Sequence, residues 1–396
     1  MAWVPRIGTV VDPNPMISSL PVNIESLEQR LEQLAQQGVL IVDPRQTFVA
    51  PDVVLSRISP GAVLHPGTRL LGSRTWLGPG AQIGTEGPAT AVDTVFDEAA
   101  TIASGYVNGA VLLKKASLGA NAHVRPGTLL EEEASTAHAV GLKQTLLLSF
   151  VTLGSLINFC DCLMAGGTSR KDHAEVGSGY IHFNFTPWGK SGDKATPSLI
   201  GDVARGVFLR ERRIFLGGTG GLVGPARVGF GAVAGAGQVV RNGIEEGHLV
   251  IQAPRGLDRP VEMSRLDPIF PRATKNIRYI GNLFALRAWY QKVRLPSTPT
   301  ARTPVIEAAI LLIDGCIEER IKQLGRFLEE RGAETPSFSL KTPLPCPLRV
   351  TEKVQDHVAW VKALTDEEVA IGVTWLETIV ESVSEGAEAS LKAGPA

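Results

Sequence analysis

The side chains best suited to chemistry are cations and histidines between residues 122 and 213. Arg125 and Lys143 are 18 residues apart, and each directly follows an apolar residue expected to point inward, so both should point outward. Two neighbouring cations are stabilised by an anion that bridges them, and phosphate suits both a guanidinium and an ammonium. Alternatively, the acidic run at 131–133 neutralises both charges. The spacing alone does not decide between the two.

A six-residue repeat positions these cations. Apolar residues recur at every sixth position in three runs, at 58–76, 118–142 and 216–240. This period fits neither an α-helix nor a sustained alternation, and it is typical of a parallel β-helix in which Gly, Asn or Asp takes the turns. Two interruptions, at 85–108 and 186–213, are predicted to be loops that leave the coil, and loops of that length are often functional.

Helical spacing flanks the repeat. It predicts a short helix within 22–38 and three later segments at 272–294, 305–331 and 350–383, the last broken near Asp366. We therefore predict a mainly β protein with an N-terminal helical segment at 1–50, a β-helix with inserted loops at 51–258, and a C-terminal helical domain at 259–396. The helical domain is expected to cap the end or the side of the solenoid.

Composition excludes several classes of protein. A formal net charge of −1 over 396 residues leaves no overall basic field, so neither nucleic acid nor an anionic membrane is an expected partner. Four cysteines form neither a disulfide framework nor a paired zinc motif, so we expect a reducing cytoplasm and no metal site. The apolar run at 145–159 is shorter than the ~20 residues of a spanning helix and is interpreted as buried strand.

The hexads resemble those of the left-handed β-helix acyltransferases, in which three hexads form one triangular coil of 18 residues. That coil length would place Arg125 and Lys143 one above the other. The stretch at 122–143, with R-P-G at its start and Lys143 at its end, resembles the acetyltransferase half of the bifunctional glucosamine-1-phosphate acetyltransferase/N-acetylglucosamine-1-phosphate uridyltransferase family. The resemblance implies that Arg125 and Lys143 hold a sugar phosphate.

Two later segments extend this resemblance. The sequence G-S-G-Y-I-H-F-N-F at 177–185 is similar to a substrate-binding segment of the family, which implies that Asn184 and Lys190 contact the substrate. The coils at 214–229 resemble those that line the acetyl-coenzyme A groove of the family trimer, which implies that Gly218 and Ala236 accept the pantetheine arm.

A basic loop lies between these two segments. Its residues Arg210 and Arg213 could hold the 3′-phosphate of coenzyme A or the diphosphate of a nucleotide sugar. The alternative is a solvated loop in which Glu211 is the partner of the arginines.

The general base of the family is missing. Its histidine would fall at Ser155 or, counted back from Asn184, at Asp161, and neither ordinarily has a pKa near 7. His182, two residues before Asn184 and so expected on the same strand face, and His173 are the candidate replacements. An intersubunit metal site like that of the γ-class carbonic anhydrases is disfavoured, because these two histidines should lie on different faces.

Together these features favour a coenzyme A-dependent acyltransferase acting on a sugar phosphate or a nucleotide sugar such as UDP-N-acetylglucosamine. Acetyl-coenzyme A is the expected donor, and the resemblance implies a homotrimer with sites between subunits. The alternative is a non-catalytic regulatory or scaffold subunit related to sugar nucleotidyltransferases such as UDP-N-acetylglucosamine pyrophosphorylase. The missing histidine favours this alternative, whereas the phosphate-binding cations are compatible with both.

Overall fold

The structure, a computed structural model, describes residues 24–185, 195–251, 269–340, 344–350 and 353–392. Most of the chain up to residue 251 winds into a parallel β-solenoid whose coils have three faces, named A, B and C in chain order. Strands on neighbouring coils pair in parallel and in register, so that Val124 pairs with Leu142 and Leu142 with Phe159. These three residues point inward and are fully buried. The predicted fold class is confirmed.

Face A is one sheet of eleven strands within the described ranges. Its strands are β1 (Leu40–Ile41), β3 (Val63–Leu64), β6 (Gln82–Ile83), β9 (Thr101–Ile102), β12 (Ser117–Leu118), β15 (Ser135–Thr136), β17 (Thr152–Leu153), β21 (Glu175–Val176), β24 (Phe215–Leu216), β27 (Val233–Ala234) and β29 (Leu249–Val250).

Faces B and C form a second sheet, because two long strands run through the corner between them. Face B contains β2 (Phe48–Val49), β4 (Thr68–Leu71), β7 (Ala89–Val92), β10 (Gly105–Asn108), β13 (Ala122–Val124), β22 (Ile181–Phe183), β25 (Gly221–Val223) and β28 (Val239–Val240). Face C contains β5 (Trp76–Leu77), β8 (Val95–Phe96), β11 (Ala110–Leu112), β14 (Thr128–Leu130), β23 (Ser198–Ile200) and β26 (Arg227–Val228). The strands shared by both faces are β16 (Gly141–Leu147) and β18 (Asn158–Met164).

A short antiparallel hairpin leaves the solenoid after face C. It consists of β19 (Gly167–Ser169) and β20 (Asp172–His173). The apolar run at 145–159 forms parts of β16 and β18 with β17 between them, so it is buried strand and turn, as predicted. No helix in the described part of the chain is long and apolar enough to cross a membrane.

The corners require left-handed backbone conformations that side chains other than glycine rarely adopt. At the corner from face A to face B, three successive coils place Asn121, Ala139 and Leu156 at φ values of 56°, 56° and 58°. Asparagine was expected in such turns, whereas alanine and leucine were not. The amide of Ala139 donates to the carbonyl of Ala120 in the coil before it, and Leu156 donates to His138 in the same way. Stacking between coils therefore holds corners that the residue types alone would not favour.

Helices precede and follow the solenoid. They are α1 (Ile24–Gln36), α2 (Val203–Gly206), α3 (Ile269–Trp289), α4 (Leu295–Ser297), α5 (Thr303–Glu329), α6 (His357–Ala363) and α7 (Asp366–Lys392), with a π-helical turn at Tyr290–Arg294 and 3₁₀ turns at Pro44–Gln46, Leu55–Arg57 and Thr300–Arg302. The predicted helices are all found, and the predicted break near Asp366 separates α6 from α7.

Residues 85–108 do not leave the coil as predicted. They form β7, β8, β9 and β10, which pair in register with their neighbours. Small inward residues such as Ala89 and Ala91 hide the apolar period in this stretch. Of the second predicted loop, 186–194 lies outside the described residues, and the remainder forms β23 and α2. The first paired strands, β1 and β2, lie before residue 51.

The helical region covers face C. Face C carries apolar residues on its outward side as well as its inward side, and each outward one is at most 5% exposed: Val95, Val111, Leu129, Leu146, Leu163 and Leu199. Helix α5 packs on β11 and β14. Full burial of each such side chain stabilises the fold by about 1.5–3 kcal/mol. This row of outward apolar residues therefore fixes the position of the helices, on the side of the solenoid rather than at its end.

Candidate functional site

The structure brings Arg125 and Lys143 together at the corner between faces B and C. They occupy consecutive coils, and the backbone amide of Arg125 donates to the carbonyl of Leu142 at 2.9 Å. Asn108 ends the strand of the coil before, and Cys160 pairs with Lys143 in the coil after. No carboxylate among the described residues lies within 4.0 Å of either cation. The corner is thus a column of polar side chains containing two stacked cations.

The acidic run at 131–133 does not neutralise these cations. Glu131 and Glu132 lie at the end of face C, buried against the helical region, where both pair with Arg294. The hydroxyl of Tyr290 also donates to Glu131 at 2.7 Å. Burial works to raise the pKa of Glu132, but the charge of Arg294 outweighs it and lowers that pKa to about 2. These carboxylates hold the helices in place and leave the cationic corner free.

Cys160 extends the cationic column. The Arg125 guanidinium donates to its sulfur at 3.5 Å, and its thiol donates to Asn158 Oδ1 at 3.8 Å. Burial raises the pKa of Cys160, and the charge of Asp161 adds to that effect against the opposing influence of Arg125 and Lys143. The thiol is therefore neutral at ordinary pH and acts as a polar neighbour of the cations.

Asp161 and Asn184 are neighbours, as their predicted roles require. The amide of Asn184 donates to Asp161 Oδ2 at 3.0 Å, and Arg320 of α5 pairs with Asp161 Oδ1 at 2.9 Å. The side chains of Asp161 and Arg320 are 5% and 4% exposed. Both oxygens of the carboxylate are therefore engaged, and the helical region reaches the site through Arg320. Lys190, the remaining predicted substrate ligand, lies outside the described residues.

His182 points into the solenoid. It pairs with Leu222 in the next coil, among the inward-facing residues, whereas Asn184 lies beyond the end of β22. Its Nδ1 is 2.6 Å from the carbonyl oxygen of Cys160 and its Nε2 is 2.7 Å from Ser198 Oγ. A carbonyl can only accept, so Nδ1 carries the proton and Nε2 accepts from the serine hydroxyl.

Burial lowers the pKa of His182 to about 4, so the ring is neutral near pH 7. Neither of its ring nitrogens is available to a substrate in this arrangement, and its catalytic role stays a prediction.

His173 and Arg213 share a different site, on face A. With Asp172, Glu175, Arg212 and Phe215 they line a cavity of about 610 Å³ beside the β19–β20 hairpin. His173 Nδ1 is 2.9 Å from the carbonyl oxygen of Arg170, and its Nε2 is 3.5 Å from Glu175 Oε2. The histidine is thus paired locally, and its catalytic role also stays a prediction.

The residues predicted to bind coenzyme A are dispersed. Gly218 and Ala236 lie on the corner between faces A and B in consecutive coils, and a Cβ at Gly218 would stand 2.5 Å from the carbonyl oxygen of Ser178. Close packing of coils thus requires this glycine. Arg210 pairs with Asp366 at 2.8 Å and also donates to the carbonyl of Leu364, which ties it to the start of α7.

Sequence reasoning missed three contributors to the cationic corner. Asn108 and Cys160 lie 17 residues before Arg125 and after Lys143, so coil spacing could have found both. No sequence signal pairs Arg320 with Asp161, because the two are far apart along the chain. The exposed His123 was also passed over. It lies on face B two residues before Arg125 and stacks on Tyr106 with ring centroids 5.5 Å apart.

Comparisons with known proteins agree with this architecture. No family model matches the chain. The bifunctional protein GlmU of Nocardia farcinica is 29% identical over 221 residues, which cover 56% of this chain and 39% of the relative. That of Fervidobacterium nodosum is 29% identical over 225 residues, covering 57% and 44%, and that of Desulfitobacterium hafniense is 30% identical over 217 residues, covering 55% and 42%.

The chain spans about two fifths of the length of these curated relatives. The solenoid and the relatives together confirm the predicted family resemblance.

Proposed function

We propose that this protein binds a sugar phosphate or a nucleotide sugar, such as UDP-N-acetylglucosamine, at the corner formed by Arg125, Lys143 and Asn184. The observation that carries the proposal is the stacking of two cations in consecutive coils without a carboxylate partner among the described residues. Such a pair is stabilised by a bridging anion, and a phosphate can accept from both side chains at once. The similarity to bifunctional GlmU proteins supports the same ligand class.

Isothermal titration calorimetry with N-acetylglucosamine 1-phosphate tests this proposal. Arg125→Ala and Lys143→Met should each weaken binding about tenfold or more, because a hydrogen bond to a charged group contributes about 1.5–3 kcal/mol. Lys115→Ala removes an exposed lysine at a different corner and should leave binding unchanged. Unchanged affinity in both Arg125→Ala and Lys143→Met would contradict the proposal.

Acetyl transfer from acetyl-coenzyme A is the second candidate function. The similarity to GlmU supports it, with Gly218 and Ala236 on a shared corner as the proposed contact for the donor. The geometry favours binding without transfer, because His182 is enclosed, His173 lies on face A, and Asp161 is paired with Arg320. Melting temperatures discriminate the two candidates: stabilisation by UDP-N-acetylglucosamine but not by acetyl-coenzyme A would exclude transfer.

We further propose a homotrimer that associates through faces A and B. The helical region already covers face C, whereas the later coils expose Phe183, Phe215 and Val239 on the other two faces. Light scattering should give about three times the 42.2 kDa of one chain. A monomer in solution would contradict this assembly and remove any site between subunits.

A further inference from the structure

A second cavity opens beside the cationic corner. It has a volume of about 450 Å³ and lies between the solenoid and helix α5. On the solenoid side it begins one residue beyond each cation, since Pro126 follows Arg125 and Gln144 follows Lys143. A ligand whose phosphate lies between the two cations would therefore have the entrance of this cavity next to it.

The helix wall of the cavity contains a glycine that packing does not explain. Gly315 lies in the middle of α5 and lines the cavity, and a Cβ built on it would meet no atom within 4 Å. Glycine inside a helix destabilises it relative to alanine. A larger residue would project into the cavity, so glycine at this position keeps the space open.

The solenoid wall contains an unsatisfied hydrogen-bond acceptor. The side-chain oxygen Oε1 of Gln144 is buried and has no hydrogen-bond partner. Buried polar atoms are almost always paired, so this oxygen indicates a missing donor. It belongs to a residue that lines the cavity, and a ligand inside could supply the donor.

The remaining walls are apolar, with a charged rim. Trp76, Val95 and Val111 of face C form much of the lining, and Glu307 of α5 adds a carboxylate. The volume lies in the range of small-molecule sites, which combine apolar walls with a few polar groups. A planar aromatic ring can stack on the indole, and its N–H can reach the free acceptor. A ribose hydroxyl can donate to a carboxylate.

We propose that this cavity binds the nucleoside of a nucleotide sugar whose diphosphate is held by Arg125 and Lys143. This inference rests on the proposed function and narrows it from any sugar phosphate to a nucleoside diphosphate sugar. A free sugar phosphate fills the cationic corner but leaves the apolar walls and the Gln144 oxygen without a partner.

Calorimetry with three probes tests the inference: UDP-N-acetylglucosamine, N-acetylglucosamine 1-phosphate and uridine 5′-monophosphate. The wild type should bind the nucleotide sugar at least about tenfold more tightly than the sugar phosphate. Gly315→Leu fills the cavity and should remove this difference and the binding of uridine 5′-monophosphate, while the sugar phosphate binds as before. Gly315→Ala is the matched control and should retain most of the preference. A melting curve shows that each variant is folded.

The outcomes separate this inference from the proposed function. If the wild type binds both sugar ligands equally, or if Gly315→Leu keeps its preference, the nucleoside assignment is overturned and the proposed function stands. If uridine 5′-monophosphate binds and Gly315→Leu abolishes this, while the sugar phosphate does not bind, the cavity assignment stands and the cationic corner loses its proposed ligand. If no probe binds the wild type, both are overturned.

Discussion

His182 allows a quantitative test of how the solenoid interior treats an ionisable side chain. Burial lowers the pKa of its imidazole from 6.5 to about 4. Between those values the unfolded chain binds a proton at this residue and the folded chain does not, so stability falls as the pH drops below about 6.5. The full loss is about 3 kcal/mol at 1.36 kcal/mol per pKa unit, and about 2 kcal/mol of it should be lost by pH 5.

The test compares urea unfolding of the wild type and His182→Asn near pH 7.5 and again near pH 5. Asparagine does not titrate, and its amide can still donate to the carbonyl of Cys160. The wild type should lose about 2 kcal/mol more than the variant over this interval. Burial also lowers the pKa of His357 to about 3, so that residue adds its own pH dependence, which cancels in the comparison.

An equal loss in the two proteins would refute the reasoning, since it would mean that folding does not hold the imidazole neutral. The same variant also tests chemistry. A folded His182→Asn protein that binds its ligand normally but has lost a measurable acyl transfer would show that this histidine acts on the substrate. His357→Asn is the matched control, because it removes the other buried histidine from a different part of the fold.

Three further substitutions have expected effects on stability. Arg294→Met should lower the free energy of unfolding by about 3–5 kcal/mol, because it leaves two buried carboxylates without their cation; urea titration measures this, and a loss below about 1 kcal/mol would contradict it. Gly315→Ala should raise stability by about 0.5–1 kcal/mol in the same assay, and destabilisation would show that the open space is wrongly placed. Arg210→Ala should cost at most about 1 kcal/mol, because its partner Asp366 is exposed, and a larger loss would give this contact a structural role.

The repeat could be predicted from sequence wherever large apolar residues occupy the inward positions. Leu118, Val124, Leu130 and Leu142 show the period directly, and their coils were assigned correctly. Where alanine fills those positions the period disappears, although the strands pair as regularly. Coil geometry needs residues of the right size inside, and alanine satisfies it without leaving a hydrophobic signal.

The coverage of face C had a sequence signal that was missed. Its strands carry two adjacent large apolar residues, as in Leu129-Leu130, Leu146-Leu147 and Leu163-Met164, whereas a strand with one wet side alternates. Adjacent apolar residues in a solenoid indicate that something covers the outer side. The hexads alone do not specify which helices do so.

The candidate site was predictable in part for a physical reason. Residues one coil apart lie next to each other, so the spacing of Arg125 and Lys143 was sufficient to place them together. The inward direction of His182 depends on the exact register of its strand. The contact between Asp161 and Arg320 depends on the docking of a helix, and local sequence does not encode it.

The covered face imposes an order on how this protein must be made. Coils on the ribosome are complete well before α3, α4 and α5 are synthesised, so the apolar outer side of face C is initially exposed to water. Docking of the helices then joins segments far apart along the chain, which is a slow class of contact. A nascent chain paused near residue 251 would present a hydrophobic stripe along the length of the solenoid, and its solubility would depend on what shields that stripe during the pause.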